Sequence, residues 1–125
     1  MKKKELLSKN CPPPIGPYSE GILMDNLIFT GQIGTNANGD LVSENPAEQV
    51  AQCLRNIHEI ISTEGLVLDD VIKCTVYLTD MNDFEDVNDE YKRHFSKPYP
   101  ARVCIQVCKL PEGAKVEVDA IAYKK

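Results

Sequence analysis

Arg102 is the residue of this 125-residue chain best suited to chemistry. Only three arginines are present, and Arg55 and Arg93 fall in segments that read as helices, where solvent-facing salt bridges account for them. Arg102 instead opens an interior-looking strand behind Pro98-Tyr99-Pro100-Ala101. A guanidinium there must be paired or await an anion, because an unpaired buried charge is strongly disfavoured. Its planar fork matches a carboxylate in bidentate fashion. Spacing alone leaves two readings open: an ion pair with Glu117, or a ligand site.

Glu117 is expected on the same sheet face as Arg102. A carboxylate on a partly desolvated face can serve as general base for a water, or as an ordinary salt-bridge partner. Asp119, two positions on, shares that face with a lesser claim. Cys104 also shares the Arg102 face, but no histidine stands near it in sequence to activate a thiolate, so a small buried thiol is the better account. Thr30-Gly31 follows a strand and offers a hydroxyl and a close backbone approach, with too little glycine for a phosphate loop. Tyr18, after Ile15-Gly16-Pro17, is either a phenol over a pocket or a strand aromatic. His58 and His94 lack a companion at metal-ligand spacing.

The elements that must position these residues are legible from periodicity. Tyr18–Met24 and Leu27–Thr30 flank Asp25-Asn26 as a two-residue hairpin, and residues 31–45 read as a loop. A helix is predicted from an Asn45 cap through Pro46, with Glu48 completing a capping box, an apolar stripe of Val50, Leu54, Ile57 and Ile61, and a stop at Gly65. A second helix is predicted to start at Asn82, carry Phe84, Val87, Tyr91 and Phe95, and end before Pro98. Val71–Thr79 alternates as a strand, with Ile72, Cys74, Val76 and Leu78 on one face. Ala101–Cys108 and Lys115–Tyr123 are predicted as two more. The order is β-β-α-β-α-β-β, an α+β domain spanning residues 1–125 with both helices on one face of the sheet. The uncovered face would carry Tyr77, Arg102, Cys104, Gln106, Glu117 and Ile121, a mixture suited to burial against another subunit with polar groups lining clefts.

Composition narrows the partners. The formal net charge is -5, and the only basic cluster, Lys2-Lys3-Lys4, reads as a solvated tail, so a nucleic-acid backbone is a poor partner. No apolar run approaches membrane-spanning length, and the N-terminus lacks a signal-peptide core. Five cysteines without C-x-x-C spacing suggest reduced thiols in the cytoplasm and neither a zinc framework nor a disulfide scaffold.

The motifs Ile15-Gly16-Pro17-Tyr18-Ser19, Thr30-Gly31-Gln32-Ile33, Asn82-Asp83-Phe84, Pro100-Ala101-Arg102-Val103-Cys104, Leu110-Pro111 and Val116-Glu117-Val118 occur in the order and spacing of the Rid (reactive intermediate deaminase, YjgF-type) family. The chain resembles that family from about Ile15 to Tyr123. The resemblance implies a chorismate-mutase-like fold with a mixed sheet, and a homotrimer whose sheets form a barrel-like centre with sites in clefts between subunits. It implies deamination of 2-iminobutanoate and 2-iminopropanoate with no metal or organic cofactor. By the same resemblance Arg102 would hold the carboxylate and Glu117 would activate water. Backbone groups of Cys104 would orient the reacting atoms, and Tyr18, Thr30 and Gly31 would shape the pocket. Cys108 and Val118 depart from the usual signature at positions without an implied catalytic role. Two other activities compete: a non-catalytic module binding 2-oxo acids or related metabolites, and RNA cleavage or translation inhibition, which the acidic balance and the lack of a histidine pair oppose.

Overall fold

Six strands build one mixed sheet in the computed structural model, which describes residues 2–125. In chain order they are β1 (Lys4–Leu6), β2 (Gly21–Met24), β3 (Leu27–Ile33), β4 (Val71–Leu78), β5 (Ala101–Gln106) and β6 (Val116–Tyr123). Side by side they run β1-β2-β3-β6-β4-β5, with β5 parallel to β4 and the other neighbours antiparallel. Helices α1 (Pro46–Ser62) and α2 (Phe84–Lys92) follow β3 and β4 and contact each other. The predicted α+β order therefore holds, with one strand added at the N-terminus. Lys4 is no part of a solvated tail. Leu6 is buried in the core, and Lys4 Nζ donates to Glu64 Oε2 at 2.9 Å.

The apolar stripe of α1 explains its place. Val50, Leu54, Ile57 and Ile61 are all fully buried, joined by Cys53 and Ile60, over β3 and the Val116, Val118, Ala120 and Ala122 face of β6, and Cys74, Val76 and Leu78 of β4 belong to the same core. Each such aliphatic side chain stabilises the fold by about 1.5–3 kcal/mol. Asn45 caps the helix by accepting from the Ala47 and Glu48 amides at 2.8 and 3.4 Å. The reciprocal half of the expected capping box is absent, because the Asn45 amide donates to Ser43 Oγ at 2.9 Å instead. Gly65, at φ 80, ends the helix as Leu66 N returns to Ile61 O.

Several boundaries differ from the sequence reading. β3 runs on to Ile33 because it pairs with β6 along its whole length, from Leu27–Tyr123 to Ile33–Glu117. β2 starts at Gly21, which leaves Tyr18 in the extended lead-in. The expected start at Asn82 is a 3-10 turn, Met81–Asp83, capped by the Asp80 carboxylate on the Asn82 amide. Phe95 lies beyond α2 yet remains buried, its ring 4.7 Å from that of Tyr91. A register shift between Val71 and Lys73 turns Ile72 outward, so the core position falls to Val71.

The largest correction concerns β5. Its parallel pairing sets Arg102 beside Cys74, Cys104 beside Val76 and Gln106 beside Leu78. Neighbours across a ladder share a face, so Arg102, Cys104 and Gln106 lie on the helix side of the sheet. Val103 and Ile105 occupy the open face, with Tyr77, Glu117 and Ile121. Strict alternation correctly separated the two sets of β5. It could not say which set pointed inward on an edge strand with apolar residues in both. The strand also stops at Gln106, so Val107 and Cys108 lie outside it.

Candidate functional site

A cleft of ≈ 520 Å³ opens where β3 and β6 meet the N-terminal lead-in, and its walls include Tyr18, Glu20, Gly31, Gln32, Pro111 and Glu117. Three of the sequence candidates, Tyr18, Gly31 and Glu117, thus converge. Glu117 is placed by two ladders at once, opposite Ile33 on β3 and Tyr77 on β4. It is half-buried, and among the described residues it has no ion-pair or hydrogen-bond partner for its carboxylate. Burial, and then the like charge of Asp119, push its carboxyl above the usual range. Asp119 itself is committed: Oδ1 accepts from the Thr75 amide at 3.1 Å and Oδ2 from the Tyr77 hydroxyl at 2.9 Å.

Gly31 and Tyr18 shape the opening. A Cβ at Gly31 would meet only the Asp119 Cβ, at 3.6 Å, so the position is open toward the cleft. Tyr18 is exposed, its hydroxyl accepts from the Ile15 amide at 3.4 Å, and both residues line the cleft. Thr30 does not offer its hydroxyl there. It is buried beside Ala120 on the helix side, and Oγ1 donates to the Glu20 carbonyl at 2.7 Å.

Glu20 was missed by the sequence reading. Only 7% exposed, it lines the cleft and holds one long side-chain hydrogen bond, from Gln32 Nε2 at 3.4 Å. Burial raises its carboxyl above the usual range, against the opposing pull of Gln32. Glu20 falls within the strand expected over Tyr18–Met24 but precedes the observed β2, and a glutamate there carries no burial signal in sequence.

Arg102 is elsewhere. Its guanidinium lies 4.7 Å from the ring centre of Tyr91 and 5.7 Å from that of Phe84, both on α2. Among the described residues no carboxylate pairs with it, so the Glu117 ion pair is not formed. Cys104 packs at the core edge, and burial raises its thiol against the weaker opposing effect of Arg102, which makes it a poor nucleophile. The backbone of β5 is more informative. Val107 N donates to Leu78 O at 2.8 Å, so by strand alternation the peptide groups of Arg102 and Cys104 point to the free edge of the sheet. Among the described residues no three His, Cys, Asp or Glu side chains converge in a metal-binding group, and no helix is long and apolar enough to cross a membrane.

Comparison with known proteins agrees with this fold. The family model described as Endoribonuclease L-PSP matches residues 8–124. A 2-iminobutanoate/2-iminopropanoate deaminase from Bos taurus is 44% identical over 126 residues, covering 99% of this chain and 92% of that protein. The structure of E. coli TdcF with bound serine superposes with a TM-score of 0.90 at 36% identity, covering 98% of this chain and 99% of that one. YyfA of Yersinia pestis, described as a conserved Rid family protein, gives a TM-score of 0.93 at 37% identity, covering 98% and 99%. Sequence and fold agree over nearly the whole chain, which therefore belongs to the Rid, or L-PSP, family and has its chorismate-mutase-like α+β fold.

Proposed function

We propose that the protein hydrolyses reactive 2-imino acids, 2-iminobutanoate and 2-iminopropanoate foremost, to 2-oxo acids and ammonia. The observation that carries this reading is the unpartnered, half-buried Glu117 in a cleft large enough for a small metabolite. Full-length similarity to deaminases of that name supports the substrate class.

Arg102 enters through assembly. Glu117 and Arg102 lie on opposite faces and on strands separated by β4. Two inter-strand spacings and a three-residue offset put their Cα atoms on the order of 14 Å apart. A small imino acid cannot bridge them within one chain. The open face carries Phe29, Val103 and Ile105, each at least 41% exposed, next to Ile121. Such an apolar face suits burial against further copies. In a homotrimer joined through this face, the β5 edge of one protomer reaches the Glu117 cleft of the next.

The chemistry then needs only water. The imino acid's carboxylate takes the Arg102 fork in bidentate fashion, and the free-edge peptide groups at Cys104 orient the reacting atoms. Glu117 removes a proton from water as its oxygen bonds to the imine carbon, the C=N electron pair moves to nitrogen, and Glu117 returns that proton to the nitrogen. The hydroxyl of the resulting carbinolamine then gives its proton to Glu117, which passes it to the amine. The oxygen's electron pair re-forms the carbonyl as the C–N bond breaks and ammonia leaves. Positioning and one general base suffice for a reaction already facile in solution. Five free thiols suit a cytoplasmic setting. RNA cleavage, suggested by the family description, is disfavoured by the net charge of -5 and by the engagement of His94 with Glu90 at 2.8 Å.

The test is to generate the imines in situ and trap them with semicarbazide. The protein should lower the trapped fraction and Arg102→Ala should not. An unchanged trapped fraction would refute the activity. Loss of turnover in Glu117→Gln with 2-oxobutanoate binding intact separates catalysis from a binding-only role.

A further inference from the structure

We infer that Phe84 and Tyr91 are the positioning residues for Arg102, forming an aromatic shelf that holds the guanidinium in place without neutralising it; the inference rests on Arg102 being the carboxylate clamp. Both ring centres lie within cation–π range of the guanidinium carbon, at 5.7 and 4.7 Å. Arg102 otherwise has no acidic partner among the described residues.

The distinction matters for binding. A carboxylate partner within the chain would occupy the N–H fork that a ligand's carboxylate needs, and each binding event would have to displace it. A ring attracts the cation through its π face and, unlike a carboxylate, takes up no bidentate pair of N–H···O bonds. It also restricts a side chain that otherwise loses considerable rotamer freedom on binding. The shelf is itself rigid. Tyr91 is 4% exposed, and its ring packs 4.7 Å from that of Phe95. Its hydroxyl is buried against the Cys74 thiol with no oxygen or nitrogen partner. The ring, not the hydroxyl, is therefore what Arg102 uses. Phe84 is partly buried against the same core. Both residues come from α2, so this helix is tied to the site through Arg102.

The experiment titrates 2-oxobutanoate into wild type, Arg102→Ala, Tyr91→Phe, Tyr91→Leu and Phe84→Leu, with thermal melts and imine turnover alongside. Losing one ring face should weaken 2-oxobutanoate binding about 3- to 30-fold. KM should rise to match while kcat holds, and Tyr91→Phe should restore wild-type affinity. Should Tyr91→Leu not fold, Phe84→Leu decides, since Phe84 is only partly buried. Wild-type affinity in Phe84→Leu together with lost affinity in Arg102→Ala overturns the shelf and leaves the clamp standing. Wild-type affinity in Arg102→Ala overturns the clamp itself.

Discussion

Arg102 and Glu117 leave opposite faces of one sheet, Arg102 beside Cys74 on the helix side and Glu117 beside Tyr77 on the open side. If the imino acid needs both, each site draws them from two protomers. Arg102→Ala and Glu117→Gln should each be inactive alone. Unfolded together at equal ratio and refolded, they should recover about a quarter of wild-type activity, because one site in four then joins an intact arginine to an intact glutamate. No recovery in a mixture shown to contain hybrid trimers would place both residues' work within one chain.

Glu117 should set the acid side of the pH profile. It must be ionised to act as base, and burial with Asp119 raises its carboxyl above the usual range. kcat/KM should therefore fall with decreasing pH at a point above an ordinary glutamate's titration. Asp119→Asn removes the like charge and should move that limb to lower pH, while Glu117→Gln should lower kcat by roughly 10²–10⁴-fold. A limb unmoved by Asp119→Asn would assign it to another group.

How much of this was readable in the sequence depended on local physics. The stripe of α1, with Asn45 before Pro46, fixes a helix wherever it packs, and the alternation of β6 leaves little choice because Glu117 and Asp119 fall opposite Val116, Val118, Ala120 and Ala122. β5 is different. Val103 and Ile105 are as apolar as a core demands, yet they face outward, and Arg102 faces inward because aromatic rings on α2 receive it. That outcome depends on a non-local parallel pairing and on an open sheet face, neither of which leaves a periodic signal. The alternation of β6 put Glu117 on the open face, and Gly31 stood out by its place beside a predicted strand, while Glu20 was missed because its burial beside Gln32 is a long-range contact.

Glu20→Gln should stabilise the protein in a pH-dependent way. Burial raises the Glu20 carboxyl in the folded chain above its unfolded value. The folded state then binds the proton more tightly, so stability is fullest below the ordinary carboxylate value and is lost as pH rises through the raised one. Glutamine stays neutral and keeps an oxygen for Gln32. The variant's Tm should exceed wild type near pH 7 and converge with it near about pH 3. A constant difference across that range would mean that Glu20 acts by packing alone.

Gly31 and Gly34 separate the cleft from the scaffold. A Cβ at Gly34 would meet Gln49 O at 2.7 Å and its Cα at 2.8 Å, both backbone atoms of α1, so strand end and helix must part. Gln49 also holds the Ser43 carbonyl and the Lys115 amide, the latter two residues before Glu117. Gly34→Ala should cost about 1–3 kcal/mol of stability. A Cβ at Gly31 meets only ordinary contact, at 3.6 Å, and projects toward the cleft. Gly31→Ala should leave the monomer's packing intact while raising KM for the imino acid, because the added methyl takes space the ligand needs. The two variants, compared by thermal melt and by steady-state turnover, should therefore fail in opposite ways. If Gly31→Ala kept wild-type KM, the ligand would have to bind away from the β3 wall of the cleft.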